Sequence, residues 1–264
     1  MSSRIMSPSY LQIDREKRPQ GWIYRLTVAR PERLNVVDST ILNDLKSALA
    51  QIAAEERARV VVLCGAGTKA WIAGADIHDM VNLDPQSAVD FIQRLHRVCA
   101  AIRELPVPVL ARIDGYCLGA GLELAASCDL RVASTDSHFG MPEVQLGIPS
   151  VIEAALLPRL IGAGRARDLV LTGRLLSADE ALSWGLIEAL VPRAGLDALV
   201  EERVGQILNA GPRAIRQQKI LCHQWEELPL AEAIEESITV FCSAFESDEP
   251  RTRMEQFLRK RKRS

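Results

Sequence analysis

The chain has 264 residues, 48% of them hydrophobic and 25% charged, with a formal net charge of −2. This length and apolar share fit one large domain, or one domain with a helical appendage. The near-neutral balance excludes a global charge that would drive binding to nucleic acid or to a membrane surface.

In chain order, residues 10–15 and 22–29 read as two strands around the turn Arg18-Pro19-Gln20-Gly21. Asp38 is placed to cap a helix running to about Glu56, with Ile41, Leu42, Leu45, Leu49 and Ile52 on one face. Residues 59–64, Arg-Val-Val-Val-Leu-Cys, form a strand. A helix over 86–104 carries Val89, Ile92, Leu95, Val98 and Ile102 at helical spacing. Pro106 and Pro108 break it, and Val107 to Ile113 is a strand. A helix over 119–127 precedes a strand at 130–133. Residues 149–183 read as helical, and Ile187 to Val191 as a last short strand. From about 195 onward only helices are predicted: 196–209, 212–225, 229–246 and 250–262. Alternating strands and helices imply an α/β architecture with right-handed crossovers. The change to pure helix places a boundary near residue 200, giving a core over 1–200 and a helical region over 201–264. The apolar face Ile234, Ile238, Phe241 and Phe245 of that region needs a partner surface, so it reads as an oligomerisation layer.

The six cysteines, Cys64, Cys99, Cys117, Cys128, Cys222 and Cys242, include no C-x-x-C pair. They read as small core residues of a reducing compartment. The four histidines are scattered, and no metal site is expected. No apolar stretch is long enough to span a bilayer, and the first ten residues lack a signal-peptide core. The ending Arg261-Lys262-Arg263-Ser264 matches no peroxisomal address. A cytoplasmic protein is expected, with no membrane or nucleic-acid partner. The basic tail from Arg251 to Arg263 reads as a solvated helix end, with phosphate binding as the lesser reading; Lys219 is weighed in the same way.

Two glutamates stand in settings that carry chemistry. Glu123 lies in Gly119-Ala120-Gly121-Leu122-Glu123-Leu124-Ala125-Ala126, a small-residue run turning into an apolar helix. Glu143 lies in the turn Phe139-Gly140-Met141-Pro142-Glu143-Val144. A carboxylate on an apolar face is costly to bury unless paired or protonated. Two of them close together push their pKa values apart, which suits acid–base work. A third segment, Ala73-Gly74-Ala75-Asp76-Ile77, has small residues that admit close backbone approach, followed by Asp76 as an N-cap. Both small-residue loops present free N–H groups at a helix start, as an oxyanion hole requires. A dinucleotide fingerprint, Gly65-Ala66-Gly67-Thr68-Lys69-Ala70, fails in context because no long helix follows it.

In this order, Pro31-Glu32-Arg33-Leu34-Asn35, Ala73-Gly74-Ala75-Asp76, the run from Asp114 to Ala125 and Phe139-Gly140-Met141-Pro142-Glu143 resemble the enoyl-CoA hydratase/isomerase (crotonase) superfamily. The resemblance covers nearly the whole chain. It implies a crotonase-like spiral of ββα units with a C-terminal all-helical trimerisation region, assembling as a homotrimer or a dimer of trimers. It also implies an acyl-CoA thioester substrate and no separate cofactor, coenzyme A being part of the substrate. Carried over by position, the N–H groups of Ala75 and Ala120 form the oxyanion hole. Glu123 and Glu143 are the catalytic carboxylates, Glu123 activating water and Glu143 protonating the α-carbon. Arg33, Leu34, Ala73, Asp76 and Ile77 line the coenzyme A channel. Keeping both glutamates favours a hydratase over an isomerase, a hydrolase or a non-catalytic RNA-binding member.

The chain departs from the family at two places. Ala120 stands where the family usually has Gly, and alanine keeps the N–H. After Glu143 the family's Gly-rich stretch is replaced by residues 147–160, Gly-Ile-Pro-Ser-Val-Ile-Glu-Ala-Ala-Leu-Leu-Pro-Arg-Leu. Within it, Ser150-x-x-Glu153 reads as a capping box, with orientation of a polar acyl group as the second reading of Glu153.

Overall fold

Residues 10–261 are described by a computed structural model. The chain's first nine and last three residues, including Lys262 and Arg263 of the basic tail, lie outside the described residues. The N-terminal hairpin pairs β1 (Leu11–Arg18) with β2 (Gly21–Val28), antiparallel, through the two-residue turn Pro19-Gln20. β1 thus runs three residues further than its sequence pattern predicts. Gly21 takes φ +138, where a side chain would also strike Arg59. Helix α1 (Ser39–Ala53) starts where Asp38 accepts from the Ile41 N–H at 2.8 Å.

The pattern Arg-Val-Val-Val-Leu-Cys becomes β3 (Ala58–Gly65), a central parallel strand buried on both faces. Val61 and Leu63 face the core shared with α1, while Val60, Val62 and Cys64 face the opposite layer. Then follow β4 (Ala70–Ile72), α2 (Ile77–Met80), α3 (Pro85–Glu104), β5 (Val109–Ile113), β6 (Tyr116–Leu118), α4 (Ala120–Ser127), β7 (Leu130–Ser134) and β8 (His138–Gly140). Successive strands alternate between two sheets. One sheet has the order β1-β2-β3-β5-β7 and the other β4-β6-β8. Each ββα turn thus contributes one strand to each sheet, which is the crotonase spiral that the resemblance implies.

The stretch 149–183 is not continuous helix. One 3₁₀ turn, Pro142–Leu146, precedes it, and it holds a second, Ile152–Leu156, then α5 (Leu157–Ile161), α6 (Ala163–Thr172), β9 (Leu175–Ser177) and α7 (Ala178–Trp184). Gly162 at φ +83 and Gly173 at φ +63 stop the helices. β9 joins the smaller sheet beside β8, and β10 (Ala189–Val191) joins the larger beside β7.

Helix α8 (Leu196–Asn209) straddles residue 200 and covers the second face of the large sheet, packing Leu196, Val200, Val204 and Leu208 onto Val60, Val62 and Leu110. Arg59, buried, donates to the carbonyls of Ile207 and Ala210 at the end of α8. Helices α9 (Pro212–Glu227), α10 (Leu230–Ala244) and α11 (Glu249–Arg261) follow. They leave Leu230, Ile234, Ile238, Phe241, Phe245 and Phe257 exposed. Lys219 of α9 is buried, its ammonium held by the carbonyls of Ile102 and Val107 and by Asp129. That corrects both readings of Lys219: it is neither solvated nor free to meet a phosphate. Cys64, Cys99, Cys117 and Cys128 are buried; Cys222 and Cys242 are exposed.

Candidate active site

The smaller sheet gathers the site. β4, β6 and β8 run parallel, so the segments that leave their C-terminal ends emerge on one edge. These segments are Ala73-Gly74-Ala75, Gly119-Ala120 and Met141-Pro142-Glu143. All three contribute to one cavity of about 300 Å³, which Glu123 also lines. Its apolar wall includes Met80, Phe91, Ile92, Leu95, Leu146 and Val151.

The first loop is fixed by the chain that enters α1. Val37 donates to the Gly74 carbonyl at 2.9 Å, and Asp76 N–H donates to the Val37 carbonyl at 2.9 Å. The Ala75 N–H between these bonds has no acceptor among the described residues. The second loop turns at Gly119, whose φ is +52, and α4 begins with Ala120. The Ala120 N–H lies in the first turn, where the helix supplies no acceptor, and none is found elsewhere among the described residues. Gly121 is required by packing, since a Cβ there would lie 2.1 Å from the Ile72 carbonyl. α4 thereby presses against β4, bringing the two loops together. A Cβ on Gly119 would come within 3.9 Å of the Gly74 Cα and 2.7 Å of Glu143 Oε1.

Glu123 sits one turn into α4 and is buried. Its Oε1 accepts from the Ala154 N–H at 3.3 Å. Burial pushes its carboxyl from the ordinary 4.5 up to about 8. The charge of Glu143 adds to the push, the Ala154 N–H opposes it, and Glu153 adds a smaller upward contribution. At neutral pH the unliganded pair therefore keeps a proton on Glu123. Glu143 is half-buried in the Pro142–Leu146 turn, and its Oε2 accepts from the Ser150 hydroxyl at 2.8 Å.

The remaining site candidates fall into one group. Ala73 and Ile77 line the cavity itself. Leu34 is tied to it through its carbonyl, which accepts from the Ala73 N–H at 3.1 Å. Asp76 caps α2 by accepting from the His78 N–H, and it pairs with Arg33 at 2.9 Å and Arg30 at 3.3 Å. Leu34 and Asn35 both take positive φ, 56 and 55. Asn35, fully buried, holds that turn by accepting from Arg30 N–H and donating to the carbonyls of Ala66 and Ala70.

Three residues were not assigned these roles from sequence. Arg30 is buried between Asp38 and Asp76; nothing in its local pattern marks it. Ser150 and Glu153 do not form the predicted capping box. Ser150 bonds Glu143, and the Ile152–Leu156 turn has no side-chain cap. Glu153 is buried and pairs with His96 of α3 at 2.8 Å. The Ser-x-x-Glu spacing is real, but the chain at 150–153 is too extended to close the box, with Val151 at φ −134 and ψ −164.

The model of the enoyl-CoA hydratase/isomerase family matches residues 18–264. The chain belongs to this family. It is 33% identical over 238 residues to a crotonyl-CoA hydratase of Syntrophomonas wolfei, covering 90% of this chain and 92% of the relative. It is 32% identical over 244 residues to a short-chain-enoyl-CoA hydratase of Clostridium acetobutylicum, covering 92% and 94%. Among solved structures, an enoyl-CoA hydratase from Bacillus anthracis superimposes with a TM-score of 0.90 at 30% identity, over 95% of this chain and 96% of that one. Family membership identifies an enoyl-CoA hydratase/isomerase-type enzyme and makes an acyl-CoA its fitting substrate. Among the described residues, no helix is long and apolar enough to cross a membrane.

Proposed function

We propose that this family member is a hydratase, adding water reversibly to a trans-2-enoyl-CoA to give a 3-hydroxyacyl-CoA. The observation that carries the reading is that two carboxyl groups and two backbone N–H groups without an acceptor among the described residues share one cavity. An isomerase needs one shuttling carboxylate; addition of water needs an acceptor and a donor together.

In this reading the thioester oxygen lies between the N–H groups of Ala75 and Ala120. Water bonds through its oxygen to the β-carbon and gives a proton to one carboxylate. The π electrons move onto the thioester oxygen, giving an enolate that the two N–H groups stabilise; one such donor is typically worth about 10²–10³ in rate. The enolate then takes a proton at the α-carbon from the other carboxyl group, and the carbonyl re-forms. The pair ends as it began, with one proton between two carboxylates. By motif position Glu123 serves water and Glu143 the α-carbon. The resting proton sits on Glu123, so in this division it passes to Glu143 as substrate enters.

The same reading makes the exposed faces of α9–α11 the contacts of a homotrimer or dimer of trimers, and the cytoplasm its compartment. The test of the activity is loss of enoyl-thioester absorbance with crotonyl-CoA. Loss in the wild type that Glu123→Gln abolishes supports a hydratase. Absorbance that persists, with interconversion of 3-enoyl and 2-enoyl thioesters, would replace it by an isomerase.

A further inference from the structure

Glu153 is a buried carboxyl group that the reaction above does not use. It is only 7% exposed, and one of its oxygens, Oε2, has no hydrogen-bond partner among the described residues. Its other oxygen meets His96 Nδ1 at 2.8 Å. A buried carboxyl group held by one bond is unfavourable by itself. The residue before it, Ile152, takes φ +39, where a β-branched side chain is strained. The residue after it, Ala154, shares its N–H between the Val151 carbonyl at 2.9 Å and Glu123 Oε1 at 3.3 Å. Strain, burial and a bond to the reactive carboxyl group therefore fall on three consecutive residues.

The arrangement has a mechanical consequence. The Ile152–Leu156 turn packs on α4, which carries Glu123, and on α3, which carries His96. The His96–Glu153 bond ties the turn to α3 one residue before the N–H that reaches α4. Strain of this kind persists only where the surroundings over-determine the backbone. We propose that His96 and Glu153 are a positioning pair: they pin this turn so that the Ala154 N–H stays on the Glu123 carboxyl group. This inference rests on the proposed role of Glu123 in the reaction.

The groups facing Glu123 are Glu143 from the Pro142–Leu146 turn, Glu153 from the pinned turn, and the Cys99 thiol from α3, with His96 reaching it only through Glu153. The strands packed against α4 bring only uncharged side chains there: Ala70, Trp71 and Ile72 of β4, and Tyr116, Cys117 and Leu118 of β6. The two arms of the device act oppositely on Glu123. The Ala154 N–H favours the carboxylate; the charge of Glu153 disfavours it.

The experiment compares wild type with His96→Ala, His96→Asn and Glu153→Gln. It measures kcat and KM on crotonyl-CoA, and follows the Glu123 carboxyl directly as the ¹³C NMR signal absent from Glu123→Gln. His96 is exposed, so its replacement leaves the fold intact. His96→Ala should lower kcat roughly tenfold, leave KM near its wild-type value and move the Glu123 titration to higher pH. His96→Asn, which can still bond Glu153, should restore both. Glu153→Gln removes the charge and should move the titration to lower pH. A His96→Ala enzyme with unchanged kcat and unchanged Glu123 titration would overturn the proposal. Should Glu123→Gln remain active, the assignment of Glu123 fails, and the titration shifts still decide whether the pair positions that carboxyl group.

Discussion

The Ser150 hydroxyl donates to Glu143 Oε2 across 2.8 Å, bridging the turn that carries the carboxylate and the chain that has left it. The bond fixes a half-buried carboxylate whose other oxygen faces Gly119. A hydrogen bond to a charged group contributes about 1.5–3 kcal/mol. Ser150→Ala should therefore lower kcat on crotonyl-CoA by roughly tenfold or more, with a smaller effect on KM. Steady-state kinetics checks this, and an unchanged kcat would remove Ser150 from the site.

Gly119 has room for no side chain on its carboxylate side. In Gly119→Ala the new Cβ would lie 2.7 Å from Glu143 Oε1, at a backbone angle of φ +52. The flexible end of Glu143 gives way more easily than backbone. The variant should stay folded, with about 1–2 kcal/mol lost to strain, while turnover falls by roughly 10²-fold. Circular dichroism and kcat measured together separate the two effects.

The raised Glu123 carboxyl predicts two pH responses, each a loss as pH rises but in different windows. The pair works with one proton, so kcat/KM should fall above about pH 8 as Glu123 loses it. Stability responds earlier. Between the ordinary 4.5 and about 8, folded Glu123 keeps a proton that the unfolded chain has released. Its contribution is fully present below the lower value and lost as pH rises through the upper one. Glu123→Gln should flatten this loss, and near neutral pH it should be more stable than wild type by about 3 kcal/mol. Urea unfolding across the window checks the sign.

Division of labour within the pair is open to isotope exchange. A saturated acyl-CoA has an α-proton but no double bond to hydrate, so its exchange with D₂O reports the α-carbon carboxylate alone. Exchange should be lost in Glu143→Gln and retained in Glu123→Gln. The reverse pattern would give the α-carbon to Glu123 and water to Glu143.

The exposed aromatic pair Phe241 of α10 and Phe245 at its C-cap, with ring centroids 5.3 Å apart, does not line the cavity. The proposed assembly would bury these rings. Phe241→Glu combined with Phe245→Glu should shift the mass measured by sedimentation to that of a single chain. A wild type that already sediments as a single chain would refute the assembly.

Much of the site is legible in the sequence because its parts are local signals. Asp38 and Asp76 precede helices and cap them as such residues do. Gly119-Ala120-Gly121 opens a helix, as small residues before an apolar run imply. β3 reads as a strand from its apolar run Val60–Cys64. The four strands of the smaller sheet escape a pattern reading because each has three residues, too few to display a period.

Sequence by itself determined the family, the two glutamates and the two loops, since each depends on residue type and order. Tertiary structure decided what those residues meet. Glu123 is protonated because α4 is buried beside two other carboxyl groups. Glu143 is held by Ser150, and Glu153 by His96, fifty-seven residues away. Lys219 is a buried anchor for three acceptors ninety or more residues distant. Burial and long-range pairing set these properties, and both arise only when distant segments pack together.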